Sequence, residues 1–194
     1  MTVAFKDWVK ACQQRVEKAA ENNLPQEALI PQKLHSAMRY SVIGGGKRVR
    51  PLLVYAVGQI YDADPENLDL TALAVECVHS YSLIHDDLPC MDNSDLRRGR
   101  PSNHKVFGEA SALLAGDGLL TAAFETASGA DAEPAVVLKI IRILSEAAGE
   151  NGMVGGQVLD LAGEKLRLGA DDIHTIHELK TGALISAACR MGAA

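Results

Sequence analysis

Between His85 and Pro101 the chain reads HDDLPCMDNSDLRRGRP, four aspartates followed by three arginines. Carboxylates as close as Asp86, Asp87 and Asp92 repel, and each raises the others' pKa unless a cation intervenes. Oxygen donors select a hard ion such as Mg²⁺, commonly shared with substrate phosphates. On a straight helix Asp92 would lie about 240° around from Asp86. Pro89 disfavours a straight helix because its ring clashes with the preceding turn. The helix is therefore expected to end or bend there, letting Asp92 swing back towards Asp86. Arg97 and Arg98 add guanidinium forks that take phosphate oxygens two at a time. The duller alternatives are a solvated acidic loop and surface pairing of arginine with aspartate, which is worth little.

A second basic stretch, GGGKRVRP, runs from Gly44 to Pro51. It is not a P-loop, since position 41 is Ser and Lys47 is followed by Arg48. What remains is a glycine turn with Lys47, Arg48 and Arg50 at its exit, suited to an anion at a helix N-terminus. His79 lies seven residues before Asp86, two turns along the same helix face. It is either a phosphate donor or a satisfied core histidine. His85 raises the possibility of an HD-type metal phosphohydrolase, which would need further His and Asp ligands. No spacing singles out His35, His104, His174 or His177 for that role, and an EF-hand is excluded. Further along, Gln157 and Asp160 stand at i, i+3, and Lys180 and Thr181 interrupt an apolar helix. Beside a cavity both pairs suit a phosphate; otherwise they are surface.

Hydrophobic spacing at helical period places these residues on a series of helices. Expected are Val3 to about Glu21, Leu34 to Ile43, one with Pro51 in its first turn running to about Tyr61, and Leu70 to Leu88. Glu109 to Ala127, Pro134 to Ala148, Met153 to Leu161 and Asp171 to Met191 complete the set. Strict alternation is nowhere sustained, so the fold class is all-α, a multi-helix bundle in one domain over 1–194. Apolar residues make up 47% and aromatics 4% of the 194 residues, which suits close helix packing. A net charge of −6 argues against a general nucleic-acid partner. The four cysteines form no C-x-x-C pair, and no apolar run is long enough to span a membrane. A reduced, cytoplasmic protein is expected. An apolar helix running to Met191 without a polar tail further predicts a bundle that continues beyond this chain, or a partner that covers it.

Taken in order, these pieces resemble the trans-prenyltransferases, the short-chain isoprenyl diphosphate synthases. GGGKRVRP is similar to the family's G-G-K-R-x-R-P signature. HDDLPCMD with DLRRGRP is similar to its first aspartate-rich region and paired arginines, and GGQVLD and KTGALI to later landmarks. The resemblance implies a dimeric all-helical isoprenoid-synthase fold with a central cavity. It implies Mg²⁺ on Asp86, Asp87 and Asp92, holding an allylic diphosphate such as dimethylallyl or geranyl diphosphate with help from Arg97, Lys180 and Thr181. Isopentenyl diphosphate would lie on Lys47, Arg50, His79 and Arg98.

Product length follows from position. Tyr81 stands five residues before Asp86, about 7 Å along the helix, with Ser82 beside it. A ring there would stop a growing chain. With the Pro89-Cys90 insertion, this resembles bacterial farnesyl diphosphate synthases and implies a C15 product; a C20 product, as in geranylgeranyl diphosphate synthases, is the alternative. The family's second aspartate-rich region, F-Q-x-x-D-D-x-x-D, does not occur in this sequence. Two other readings stay open: a non-catalytic subunit of a complete synthase, and the HD-type phosphohydrolase.

Overall fold

The computed structural model describes residues 4–164 and 166–194. Val3, the expected start of the first helix, lies outside the described residues. Ten α-helices occur in the described residues: α1 (Phe5–Asn23), α2 (Gln32–Val42), α3 (Val49–Ile60), α4 (Pro65–Asp86), α5 (Asn103–Phe107), α6 (Glu109–Ser128), α7 (Pro134–Ala148), α8 (Met153–Gly163), α9 (Ala170–His177) and α10 (Ala183–Gly192). The all-α expectation holds. None of these helices is long and apolar enough to cross a membrane.

The centre of the bundle is α4. Its sequence shows little amphipathic bias because it is buried nearly all round, from Leu68 through Leu73 and Val78 to Ile84. It begins earlier than Leu70 because Asp64 caps it, the carboxylate accepting from Glu66 N at 2.9 Å and Asn67 N at 3.0 Å, with Pro65 in the first turn. Helix α6 lies along it, burying Ala112, Ala115, Gly116, Leu119, Ala123 and Ala127, one small-residue face at helical spacing. Small side chains let the two backbones approach closely, so the C-terminal end of α4 is held on a rigid platform. Helices α3, α7 and α10 pack around the same core. All four cysteines are free thiols.

Besides the early start of α4 and the short α5, which the hydrophobic pattern does not predict, two further features depart from the sequence expectation. A short antiparallel hairpin, β1 (Leu96–Arg97) with β2 (Arg100–Pro101), pairs Leu96 with Pro101 and Arg97 with Arg100. Its turn places Arg98 at φ 53 and Gly99 at φ 75, so Gly99 is there for its conformational freedom. The helix expected over Asp171 to Met191 is divided by a π-helical turn at Glu178–Gly182, where the Ala183 amide bonds back to the Glu178 carbonyl. Such turns insert one residue and re-aim the side chains around them; this one carries Lys180 and Thr181.

Candidate active site

After Asp86 the chain folds back on itself rather than continuing as helix. The Asp92 amide donates to the Asp86 carbonyl at 2.8 Å, and the Ser94 amide to that of Asp87 at 3.1 Å. Asp92 thereby returns to Asp86, as the position of Pro89 predicts. Burial pushes the Asp86 carboxyl above its ordinary value of 3.8, Lys180 opposes the shift, and the charge of Asp92 adds to it. Asp87 points elsewhere. It is 2% exposed, and Arg97 grips it, with Nε 3.1 Å from each carboxylate oxygen. The aspartates expected to act as a trio are thus divided into Asp86 with Asp92 on one side and a buried Asp87 paired with half-buried Arg97 on the other.

Among the described residues no three His, Cys, Asp or Glu side chains converge as a metal cage. The donor set is two carboxylates, one of them made costly to ionise by burial. That fits Mg²⁺, which binds one or two carboxylates and completes its shell with water and substrate phosphate. It does not fit an HD-type hydrolase, whose ions need several His and Asp ligands. His85 is occupied elsewhere: its Nε2–H donates to the Leu113 carbonyl at 3.0 Å.

Opposite the carboxylates stands a basic cluster. The glycine turn runs through φ 88, 147 and 107 at Gly44, Gly45 and Gly46, values that only glycine adopts freely. Arg98 reaches across from the hairpin, its Nη1 2.9 Å from the Gly45 carbonyl, and a Cβ on Gly46 would lie 2.8 Å from its guanidinium carbon. Arg50 points into the same region with its Nε buried and unpartnered. Burial pulls both Arg50 and Arg98 down from 12.5; Glu76 opposes this, while Arg98 lowers Arg50 further and Arg48 and Arg97 lower Arg98. His79 is pushed down to about 3 by burial and then by Arg50, Arg98 and their neighbours. It is a neutral ring at pH 7, able to donate one hydrogen bond but carrying no charge. Two sequence candidates fall outside this cluster. Lys47 is exposed, and Arg48 turns inward to Glu76 at 2.6 Å and Glu17 at 2.7 Å.

Asp86 from the acidic loop and Arg50 and His79 from the cluster line one cavity of about 420 Å³, which Asp92 and Arg98 do not reach. Arg50, His79, Asp86, Gln157, Lys180 and Thr181 form its polar rim, while Tyr81, Met91, Met153 and Leu161 are among the less polar residues of its wall. Ser82 lines it too, its hydroxyl donating to the His79 carbonyl at 2.9 Å. Helix α8 supplies Gln157, whose Oε1 is buried and unpartnered, and Asp160, which holds the Lys180 ammonium at 2.5 Å. That close approach of α8 to the π-helical turn requires a glycine: a Cβ on Gly156 would lie 2.6 Å from the Lys180 Cα. Gly156→Ala should therefore lower stability by about 1–3 kcal/mol, read as a fall in Tm, because the obstructing atoms are backbone.

One residue was not singled out from the sequence. Glu76 is 1% exposed and takes hydrogen bonds from Arg48 at 2.6 Å and Arg98 at 3.4 Å. It is the buried counter-charge shared by Arg48 and the cluster's Arg98. A lone acid within the apolar run LTALAVECV was the available signal.

Comparison with known proteins places the chain in a family. A family model described as polyprenyl synthetase matches residues 31–194. The farnesyl diphosphate synthase of Geobacillus stearothermophilus is 51% identical over 166 residues, which is 84% of this chain and 56% of that protein. The heterodimeric geranylgeranyl pyrophosphate synthase large subunit 1 of Arabidopsis thaliana, a chloroplastic protein, is 44% identical over 97% of this chain and 52% of its own length. An apo crystal structure of an FPP/GFPP synthase from Zymomonas mobilis superposes with a TM-score of 0.93 at 44% identity, covering 97% of this chain and 69% of that one. The chain thus spans about half the length of the curated relatives it matches.

Proposed function

The chain belongs to the polyprenyl synthetase family, and on that premise we propose that its cavity joins isopentenyl diphosphate to an allylic diphosphate, giving a C15 product. The observation that carries this reading is the placement of Arg50, His79, Asp86 and Lys180 on the rim of one cavity with an apolar wall. Mg²⁺ bound at Asp86 and Asp92 would neutralise charge on the departing pyrophosphate. Lys180, facing Asp86 from the π-helical turn, adds a positive charge on the same side. Arg50 and Arg98 would hold the diphosphate of isopentenyl diphosphate, with neutral His79 donating a hydrogen bond. The allylic C–O bond breaks, the isopentenyl double bond attacks the resulting carbon, and loss of a proton restores the alkene. Water must be kept from the allylic cation, which is the task of the Met and Leu side chains of the wall.

Two sequence assignments change weight. Buried Asp87 and half-buried Arg97 are proposed as a pair that fixes the base of the acidic loop, with direct ligation left to Asp86 and Asp92. Lys47, exposed at the glycine turn, has a peripheral role at most in this reading. A second copy of the chain is the proposed protein partner, for which exposed Val106 on α5 and Leu113 and Leu114 on α6 offer apolar surface.

The test is incubation with Mg²⁺, dimethylallyl diphosphate and isopentenyl diphosphate, followed by chromatography of the dephosphorylated products. A C15 alcohol is expected. Release of phosphate or pyrophosphate without a new carbon–carbon bond would overturn the reading. Tyr81 bears on length: it is 6% exposed and lines the cavity about 7 Å along α4 from Asp86. Tyr81→Ala should shift the product to C20 or longer, and unchanged retention would place the stop elsewhere.

A further inference from the structure

We propose that His85, seated in a notch left by Gly116, fixes the Tyr81 ring and so sets the length of allylic chain the cavity accepts; this rests on the prenyl diphosphate reading above. Tyr81 and His85 stand one turn apart on α4 and both line the cavity. Their rings meet edge to face, centroids 5.6 Å apart and planes at 77°. Edge-to-face ring contacts are favourable, so the imidazole selects one orientation of the tyrosine.

The imidazole is itself fixed from the α6 side. Because the group facing it is a carbonyl, Nε2 carries the proton and donates to Leu113 O at 3.0 Å. Gly116 lies beneath the ring. A Cβ there would overlap Nε2 and Cδ2 and lie 2.9 Å from Cε1. Nothing in its backbone demands a glycine, since Gly116 is absent from the positive-φ residues and sits inside a helix. An interior helical glycine is less favourable than alanine, and the room made for the imidazole is what the site gains. Asp117 Oδ1 lies 3.8 Å from Nε2 and is largely exposed, so it adds little. Ser82 cannot take over the support, because its hydroxyl is turned back to the His79 carbonyl. The floor of the cavity is therefore a stack of three side-chain positions, Gly116 under His85 beside Tyr81, and two of them act through the third.

The two outer positions predict opposite effects. His85→Ala removes the support, lets the tyrosine ring swing away and deepens the cavity. Gly116→Ala is compatible with the helix but lifts the imidazole from its notch into the cavity wall, making it shallower. The experiment measures binding of geranyl, farnesyl and geranylgeranyl diphosphates (C10, C15 and C20) to the chain by calorimetry in the presence of Mg²⁺. Relative to wild type, His85→Ala should raise affinity for the C20 compound over the C10 compound by about tenfold. Gly116→Ala should move the same ratio the other way. The double variant should follow His85→Ala, because the alanine methyl then has nothing to displace. Ratios that stay at the wild-type value, or a uniform weakening of all three compounds in both variants, would overturn the inference. Binding of geranyl diphosphate by the wild-type chain is the separate control: its absence defeats the prenyl diphosphate reading itself, whereas its presence with unchanged ratios defeats only the role of His85 and Gly116.

Discussion

Replacing Asp86 with alanine should lower the rate of prenyl transfer by about 10³-fold or more while leaving the chain folded. A metal-held leaving group supplies several kcal/mol of charge stabilisation, and each 1.36 kcal/mol is a factor of ten. Asp86 is the carboxylate that both faces the cavity and feels Asp92 and Lys180. Its raised pKa fixes the sign of a companion effect. The folded state holds the Asp86 proton more tightly than the unfolded chain does. Stability is therefore lost as pH rises from the ordinary carboxylate value through the raised one, and at neutral pH the ionised group is a liability. Asp86→Asn should accordingly lose turnover without a lower Tm, which separates loss of chemistry from loss of fold. Near-normal rates in Asp86→Ala would remove the carboxylate from the mechanism.

Glu76→Gln should be the most destabilising single charge change in the described structure, by about 3–5 kcal/mol. Glu76 is 1% exposed and Arg48 5% exposed. Without the carboxylate charge, Arg48 retains only Glu17 as a charged partner, at 2.7 Å, and Arg50 and Arg98 lose the neighbour that opposes their desolvation. A chain of this size should lose about 6–20 °C in Tm. Arg142→Ala is the contrasting control. Its pair with Glu146 spans i, i+4 with the arginine 79% exposed, and such pairs contribute at most about 0.5 kcal/mol. Equal losses in the two variants would show that burial is not what gives Glu76 its weight.

The helices were legible where an apolar face repeats at helical period and punctuation is clear. Helix α7 spans Pro134–Ala148 as the pattern reads, because Pro134 opens it and Gly149 follows it. The pattern alone starts α4 at Leu70, because Asp62 to Asn67 reads as a turn; the Asp64-Pro65 cap carries the helix across its second half. The π-helical turn at Glu178–Gly182 was not legible, since the inserted residue answers to packing between Gly156 and Lys180, which are far apart in the chain. Site residues divide in the same way. The return of Asp92 to Asp86 could be read from Pro89, a local constraint. That Arg97 would turn to Asp87 and Arg48 to Glu76 could not, because the alternatives were decided by which carboxylate the fold had already buried.

The central claim is that the allylic diphosphate is held by a cation on Asp86 and Asp92, apart from the arginines that would hold isopentenyl diphosphate. Calorimetric titration of the chain with geranyl diphosphate, with Mg²⁺ and then with a chelator, tests it most directly. The account predicts binding that weakens by about 100-fold or more when the metal is removed, and the same loss in Asp86→Ala with Mg²⁺ present. Affinity that is indifferent to Mg²⁺ and to Asp86 would contradict it.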